Sequence, residues 1–176
     1  MLICFDMDGT LIRPYMDDPE KRYDLVEPLP GRVEKVRRLV TKGYAVCIVT
    51  NQGGVAFGHN TEDQADAKID KVVQLFQIRS PRNGGDPEPR HAFACFSHPD
   101  GKAPWNDPVD AARRKPSGEM IWEAMTQWPR HAAEGVLMVG DRPEDREAAQ
   151  NARVAIMDAD EFFGREDLPE IGDRIE

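Results

Sequence analysis

The sequence has few cysteines and no long apolar run. Its 176 residues include three cysteines, Cys4, Cys47 and Cys95, each among apolar neighbours. An odd number of cysteines in such settings is typical of reduced, buried thiols rather than of a disulfide framework. No apolar stretch approaches the ~20 residues that cross a membrane, and Met1 leads into a short apolar run that ends at Asp6. We therefore expect a cytoplasmic protein with no signal peptide and no membrane partner.

Positive charge is also in short supply. Lys and Arg number 23 against 32 Asp and Glu, which gives a formal net charge of −9 at pH 7. This charge opposes broad electrostatic attraction to nucleic acid or anionic lipid, although it is compatible with a local basic patch. The patterns Gly-x-x-x-x-Gly-Lys-Ser/Thr and Gly-x-Gly-x-x-Gly, which cradle nucleotide phosphates, do not occur. We therefore expect neither bulk nucleic-acid coating nor nucleotide-dependent kinase activity.

The length and composition are those of one globular domain. Apolar residues make up 40% of the chain, and a chain of this length buries about 70% of its unfolded surface. Short apolar runs alternate with segments of helical periodicity, which is the pattern of βα units around a parallel sheet covered on both faces. The predicted strands are residues 2–5, 44–49, 92–96, 136–139 and 154–157, and the predicted helices lie at 33–40, 61–76, 117–128 and 143–152. We predict a single domain over residues 1–176 with an α/β, Rossmann-like, three-layer fold around a central five-stranded parallel sheet.

Three segments interrupt this alternation. Residues 11–29, 79–90 and 97–116 are polar and rich in Pro, Gly or Arg, and their simplest interpretation is exposed loop. The first and third adjoin strand ends, where ligands bind in open α/β sheets. The side chains best placed to select a substrate are His98, Lys102, Trp105 and Arg113 in the third segment, together with His59 after the second strand. Ordinary loop packing is the alternative for all of them.

A pair of carboxylates follows the first predicted strand. Asp6 and Asp8 belong to the run Asp6-Met7-Asp8-Gly9-Thr10, and residues two apart in an extended chain point to the same side. Two carboxylates held close together repel each other unless a cation or a proton relieves them. Mg²⁺ is a hard ion that prefers such oxygen ligands. The sequence therefore suggests a metal site here, with a chance acidic turn as the alternative.

Three further polar clusters have plain alternatives when each is taken alone. They are Thr50-Asn51-Gln52 after the second strand, Arg114-Lys115-Pro116 before a helix, and Gly140-Asp141-Arg142-Pro143-Glu144-Asp145 after the fourth strand. Turn chemistry, an exposed basic pair and a helix start would explain them singly. Because parallel strands end at one edge of a sheet, we expect the clusters to converge there as a site for phosphate and Mg²⁺.

Together these motifs resemble the haloacid dehalogenase superfamily of phosphatases. The resemblance spans about residues 2–160 and rests on strand-Asp6-x-Asp8-Gly9-Thr10-Leu11, strand-Thr50, Lys115 and strand-Gly140-Asp141-x-x-x-Asp145, in the superfamily's order. More narrowly, Val49-Thr50-Asn51-Gln52, Arg114-Lys115-Pro116 and Val139-Gly140-Asp141 look like one subgroup. That subgroup holds histidinol-phosphate phosphatases, heptose-bisphosphate phosphatases and the phosphatase domain of polynucleotide kinase-phosphatase.

The resemblance implies a role for each motif residue. Asp6 would be the nucleophile that forms an aspartyl-phosphate, and Asp8 would be the acid that protonates the leaving group and then the base for water. The residues that bind the substrate phosphate would be Thr50, Asn51, Arg114 and Lys115. The Mg²⁺ ligands would be Asp6, Asp8 through its backbone carbonyl, Asp141, and Asp145 directly or through water.

Two departures from the subgroup bear on the substrate. Heptose-bisphosphate phosphatases carry a zinc loop with a Cys and His pair followed by two closely spaced cysteines. Here Cys95 and His98 stand where the first pair belongs, but Ala111-Ala112-Arg113 replaces the second. Two ligands cannot close a tetrahedral site, so we expect no structural zinc and a heptose substrate is less favoured. In addition, Phe57 stands where the subgroup commonly has an arginine, so one expected cation is missing.

The loops at 11–29 and 97–116 are too short for a cap domain, so we expect an open site. The leading hypothesis is a Mg²⁺-dependent phosphomonoesterase for a small phosphorylated metabolite, such as a sugar or amino-alcohol phosphate. The alternative is a polynucleotide 3′-phosphatase, which is favoured by a similar tail at residues 158–163 and opposed by the net charge of −9. A third hypothesis is a non-catalytic phospho-ligand binding module. The sequence gives no indication of oligomeric state.

Overall fold

A five-stranded parallel sheet forms the centre of the computed structural model, which describes residues 1–79, 89–102 and 104–167. The strands are β1 (Leu2–Phe5), β2 (Ala45–Asn51), β3 (Ala92–Cys95), β4 (Val136–Gly140) and β5 (Ala155–Asp158). They are arranged in the order β3-β2-β1-β4-β5, and every pairing is parallel. The predicted α/β fold is confirmed, with strand ends shifted by a residue or two.

Helices and short 3-10 turns connect the strands. The α-helices in the described residues are α1 (Arg32–Thr41), α2 (Glu62–Phe76), α3 (Pro108–Ala111), α4 (Glu119–Gln127), α5 (Pro129–Ala133), α6 (Pro143–Ala152) and α7 (Ala159–Gly164). Helix α3 lies in a segment predicted to be loop, where Asp107 accepts a hydrogen bond from the Val109 amide and Pro108 opens the helix. The helix predicted over 117–128 corresponds to α4, and Pro129 begins α5 directly after it, because proline is well tolerated in the first turn.

The two faces of the sheet bury different helices. Along β1, Ile3 and Phe5 point into a core formed with α1, α2 and α7, whereas Leu2 and Cys4 point into a core formed with α4 and α6. This alternation follows from the two-residue period of a strand. All positions of β1 and β4 are buried, as expected for strands covered on both sides. The result is the predicted three-layer arrangement.

The described connections contain no additional domain. Between β1 and α1 the chain forms only a 3-10 helix, Tyr15–Asp17, and short bridges and turns. Between β3 and α4 it forms α3. No helix in the described residues is long and apolar enough to cross a membrane. The three cysteines are buried free thiols. Most of the predicted loop at 79–90 lies outside the described residues, and the single domain over 1–176 stays a prediction.

The parallel sheet brings the carboxyl ends of its strands to one edge. Asp6 follows β1, Thr50 and Asn51 end β2, and Asp141 follows β4. The three central strands, β2, β1 and β4, lie side by side, so the groups that follow them are neighbours. The carboxylates of Asp6 and Asp141 are therefore brought to the same edge of the sheet.

Candidate active site

Lys115 is the buried point at which three of the motifs meet. Its Nζ donates hydrogen bonds to Asp6 Oδ1 at 2.6 Å, to Asp145 Oδ1 at 2.6 Å and to the Val49 carbonyl at 2.8 Å. The side chain is only 2% exposed. A buried ammonium is stable only when it is paired and hydrogen-bonded, and here each of its three protons has an acceptor. The ammonium therefore joins the end of β1, the end of β2 and the start of α6.

The charges around Lys115 do not balance by themselves. Burial raises the pKa of the Asp6 carboxyl to about 7, with Lys115 opposing the rise and Asp145 adding to it. Burial also acts to lower the pKa of Lys115, but its attraction to Asp6 and Asp145 prevails and the pKa is raised. Burial raises the pKa of Asp141 as well. Lys115 pairs with two of these carboxylates, Asp6 and Asp145, whereas the third, Asp141, has the Arg142 guanidinium at 3.8 Å. The excess negative charge favours an additional cation.

Three carboxylates form a cluster of the kind that binds a metal ion. One oxygen each from Asp6, Asp141 and Asp145 lies within 4.8 Å of the others, and the Thr10 hydroxyl donates to Asp141 Oδ1 at 3.0 Å. Gly9 permits this approach. Its φ is +98°, and a Cβ there would lie 2.4 Å from Asp141 Oδ2. The groups that follow β1 and β4 thus converge, but the second carboxylate of the predicted Asp6 and Asp8 pair is not in the cluster. The chemistry of the three carboxylates suits Mg²⁺.

The side chain of Asp8 lies outside this cluster and has its own partners. Asp8 Oδ1 accepts from Lys68 Nζ at 2.7 Å, and Asp8 Oδ2 accepts from Gln52 Nε2 at 2.8 Å. The same Gln52 nitrogen also lies 2.9 Å from Thr50 Oγ1. Of the Mg²⁺ ligands expected from the resemblance, Asp8 was expected to contribute its backbone carbonyl. This arrangement is compatible with that expectation, because the carboxylate is engaged elsewhere.

The predicted phosphate-binding residues differ in what their side chains do. Thr50 is buried and faces the site cavity, and Arg114 also lines that cavity while donating to the Ser97 carbonyl at 3.3 Å. Asn51 instead uses both ends of its amide on the backbone of Lys115: Nδ2 donates to the carbonyl and Oδ1 accepts from the amide, each at 3.0 Å. The Asn51 side chain therefore holds Lys115 in place, and the phosphate contact expected of its amide stays a prediction.

An open cavity of about 480 Å³ lies over these groups. One side is an aromatic wall, defined here as Tyr15, Tyr23, His59, Phe57 and His98, all of which line the cavity. Ring centroids are 4.3 Å apart for Tyr15 and Tyr23 and 5.3 Å apart for the stacked Tyr23 and His59. Phe57 continues the wall to His98 at 5.0 Å. The lining also includes Arg114 and Arg142, so the cavity combines flat apolar surface with positive charge.

The long connection from β3 to Lys115 is held by hydrogen bonds. Asp110 Oδ2 accepts from the amides of Phe96 at 2.9 Å and Ser97 at 3.1 Å, and Asp110 Oδ1 accepts from Arg113 at 2.6 Å. Arg113 also donates to both carboxylate oxygens of Glu123 in α4, at 2.6 and 2.8 Å. Arg113 therefore holds the loop and, unlike His98, does not line the cavity over the site.

The two residues that stand where the first pair of the relatives' zinc loop would lie, Cys95 and His98, have other contacts. The Cys95 thiol lies 3.2 Å from the Asp110 carbonyl, and burial raises its pKa to about 11. His98 Nδ1 accepts from the Asp100 amide at 3.1 Å. Zinc binds the thiolate form of cysteine, which this environment disfavours. The expectation of no structural zinc stays a prediction.

Lys68 is a site residue that the sequence motifs do not indicate. The buried face of α2 carries Ala65, Ile69, Val72 and Phe76, and Lys68 lies on that same face. Its signal in the sequence is a lysine at the helical spacing of the apolar stripe, three residues after Ala65 and four before Val72. Phe57 stands in the cavity where the subgroup commonly has an arginine, so the positive charge of that arginine is missing. Lys68 contributes a different positive charge to the cavity lining.

Fold and site together define a phosphatase of the haloacid dehalogenase superfamily. A HAD-like phosphatase structure from Mesorhizobium loti superposes with a TM-score of 0.64 at 28% identity, over 86% of this chain and 68% of that chain. A heptose 1,7-bisphosphate phosphatase from B. bronchiseptica, complexed with magnesium and phosphate, gives 0.62 at 27% identity over 96% and 88%. Both likenesses agree with the superfamily that the sequence motifs indicated.

Within that superfamily, the chain belongs to the polynucleotide kinase 3 phosphatase family, whose model matches residues 1–166. A D-glycero-beta-D-manno-heptose-1,7-bisphosphate 7-phosphatase from Haemophilus influenzae is 30% identical over 153 residues, which cover 86% of this chain and 77% of that protein. The corresponding enzyme of Pasteurella multocida is 28% identical over 86% of this chain and 77% of its own length. The chain is therefore a phosphatase and not a non-catalytic binding module.

The amide of Asn51 gives the first testable prediction. Asn51→Ala removes both hydrogen bonds to the backbone of Lys115 and leaves those groups unpaired, so we expect the free energy of unfolding to fall by about 1–3 kcal/mol. Urea denaturation measures it. The matched control is Asn60→Ala, because Asn60 lines the same cavity but donates only a 3.5 Å hydrogen bond to Thr61 next to it. Equal destabilisation by both substitutions would contradict the assigned role of Asn51.

Proposed function

We propose that this phosphatase is a Mg²⁺-dependent phosphomonoesterase that works through an aspartyl-phosphate on Asp6 and acts on a small phosphorylated metabolite, in the first place a sugar phosphate. The observation that carries the proposal is the Lys115 ammonium, which holds Asp6 and Asp145 at the carboxyl edge of the sheet beneath an open cavity. The names of the relatives support a sugar phosphate. The heptose in those names is the substrate of the relatives, and our proposal for this chain is the wider class of sugar phosphates.

In the first step an Asp6 carboxylate oxygen attacks phosphorus and the bond from phosphorus to the leaving oxygen breaks. Asp8 gives its proton to that oxygen, so the alcohol leaves neutral. In the second step Asp8, now a carboxylate, takes a proton from water while the water oxygen attacks phosphorus. The bond from phosphorus to Asp6 breaks, inorganic phosphate leaves and both aspartates are restored. The hydroxyl of Thr50 and the ammonium of Lys115 stabilise the phosphoryl oxygens in both steps.

The residues present fit a Mg²⁺ ion. Asp6, Asp141 and Asp145 would hold it together with the backbone carbonyl of Asp8, and support comes from their convergent carboxylates and from the raised pKa values of Asp6 and Asp141. When bound, the ion offsets the negative charge of the phosphoryl group. Thr10 keeps Asp141 oriented toward the site.

The nucleophile assignment is tested by Asp6→Asn. The amide keeps the shape of the carboxylate but does not attack phosphorus, so we expect kcat on p-nitrophenyl phosphate to fall by about 10³-fold or more. The control is Asp63→Asn, because Asp63 is exposed in the first turn of α2 and is not part of the cavity lining. Hydrolysis by Asp6→Asn at the wild-type rate would show that the nucleophile lies elsewhere.

Metal dependence is tested by removing and restoring the ion. Chelation with EDTA is expected to abolish hydrolysis, and added Mg²⁺ is expected to restore it. Without substrate, Mg²⁺ at about a hundredfold excess over its dissociation constant should stabilise the fold by about 2.7 kcal/mol, measured as a rise in Tm. Asp141→Asn should shift both responses to higher Mg²⁺ concentration. Full activity in the presence of chelator would rule out the metal's role.

A polynucleotide 3′-phosphatase is the second candidate, and the aromatic wall is what favours it. Bases stack on aromatic side chains whatever their sequence, and His59 and Phe57 at the cavity mouth are exposed. The matching family description points the same way. The net charge of −9 opposes it, because strand binding uses a basic track. We place it second for that reason.

A substrate panel separates the two candidates. The panel contains heptose 1,7-bisphosphate, glucose 6-phosphate, histidinol phosphate and a 3′-phosphorylated oligonucleotide, compared by kcat/KM at two salt concentrations. We expect a sugar phosphate to be preferred and its kcat/KM to vary little with salt. Faster turnover of the oligonucleotide, with a strong loss on adding salt, would reverse the order of the candidates.

A further inference from the structure

We propose that Lys68 is a positioning residue that fixes the orientation of the Asp8 carboxylate for proton transfer. The inference rests on the proposed function, which gives the proton transfers to Asp8. Its basis is the 2.7 Å ion pair between Lys68 Nζ and Asp8 Oδ1, which joins the middle of α2 to the turn after β1. These two residues are 60 positions apart in the chain.

Lys68 is placed there by the packing of α2. The helix starts at a capping box, in which the Thr61 hydroxyl and the Gln64 side chain satisfy each other's backbone amides. The apolar residues of α2 pack against the sheet, and Lys68 is buried because it lies on the same face of the helix. The Lys68 side chain is 2% exposed whereas that of Asp8 is 18% exposed. The lysine is therefore almost fully covered by protein where it meets Asp8, and the Asp8 carboxylate keeps part of its surface open at the cavity.

Gln52 completes the hold on Asp8. Lys68 donates to one carboxylate oxygen and Gln52 donates to the other. Contacts from α2 and from the end of β2 therefore fix the plane of the carboxylate together. Each carboxylate oxygen has two lone pairs, so a proton can still be carried while both contacts persist. Proton transfer depends on such alignment, and a displacement of about 1 Å costs roughly 100-fold in rate.

A cation in this place could instead bind an anionic part of the substrate. Such a role would raise KM when the charge is removed, for every phosphate ester alike. A positioning role has a different signature, because it acts only where the leaving group needs a proton. Alkoxide is a poor leaving group and depends on general acid catalysis, whereas p-nitrophenolate leaves without a proton.

The test compares kcat/KM for glycerol 2-phosphate and p-nitrophenyl phosphate in Lys68→Met. We expect kcat/KM for glycerol 2-phosphate to fall roughly 100-fold, and kcat/KM for p-nitrophenyl phosphate to stay within about 5-fold of wild type, since that reaction needs little acid catalysis. The matched control is Lys71→Met, because Lys71 is exposed on the same helix, and it should leave both values unchanged. If Lys68→Met does not fold, Lys68→Gln keeps a polar group there and should show the same selective loss.

An equal loss on both substrates, or a rise in KM alone, would overturn the inference. Asp8→Asn separates that result from a failure of the proposed function. If Asp8→Asn selectively loses the glycerol 2-phosphate reaction and Lys68→Met or Lys68→Gln does not, only the role of Lys68 is wrong. If Asp8→Asn itself shows no selectivity, then the assignment of the proton transfers to Asp8 is wrong.

Discussion

The structure depends on one buried ammonium group. Lys115 can remain charged in the interior only because Asp6, Asp145 and the Val49 carbonyl surround it. Those partners come from the end of β1, the start of α6 and the end of β2, so the ion pairs fix the relative positions of three elements as well as the chemistry of the site. The excess of carboxylates over cations at the same place creates the demand for a metal ion. The stability of this edge and its proposed reactivity therefore have the same electrostatic origin.

The sheet and the motif residues were predictable because their signals are local. Each strand is a short apolar run, and the chemistry-bearing residues directly follow those runs, so parallel topology brings them together. The residues that contact these motif residues were harder to predict from the sequence. The two hydrogen bonds between Asn51 and the backbone of Lys115 and the ion pair between Lys68 and Asp8 each join residues far apart in the chain. Such pairings depend on how helices pack, which periodicity alone does not specify.

The cavity has features that point toward two kinds of substrate. Its floor is polar and suits any phosphoryl group, whereas its aromatic wall offers flat surfaces that suit a sugar or a base. The described connections hold no cap domain to narrow this choice. Selection therefore falls to a few side chains that line the cavity, and the net charge of −9 disfavours long polyanions.

The connection between β3 and α4 is anchored at both of its ends. Asp110 holds the start of the connection through the amides of Phe96 and Ser97, and Asn51 holds its end through the backbone of Lys115. With these anchors kept, the composition between Ser97 and Asp110 can change without moving the ammonium group below. Evolution can therefore replace ligands, charges or turns there and redirect the enzyme to a new substrate while the reaction centre is conserved.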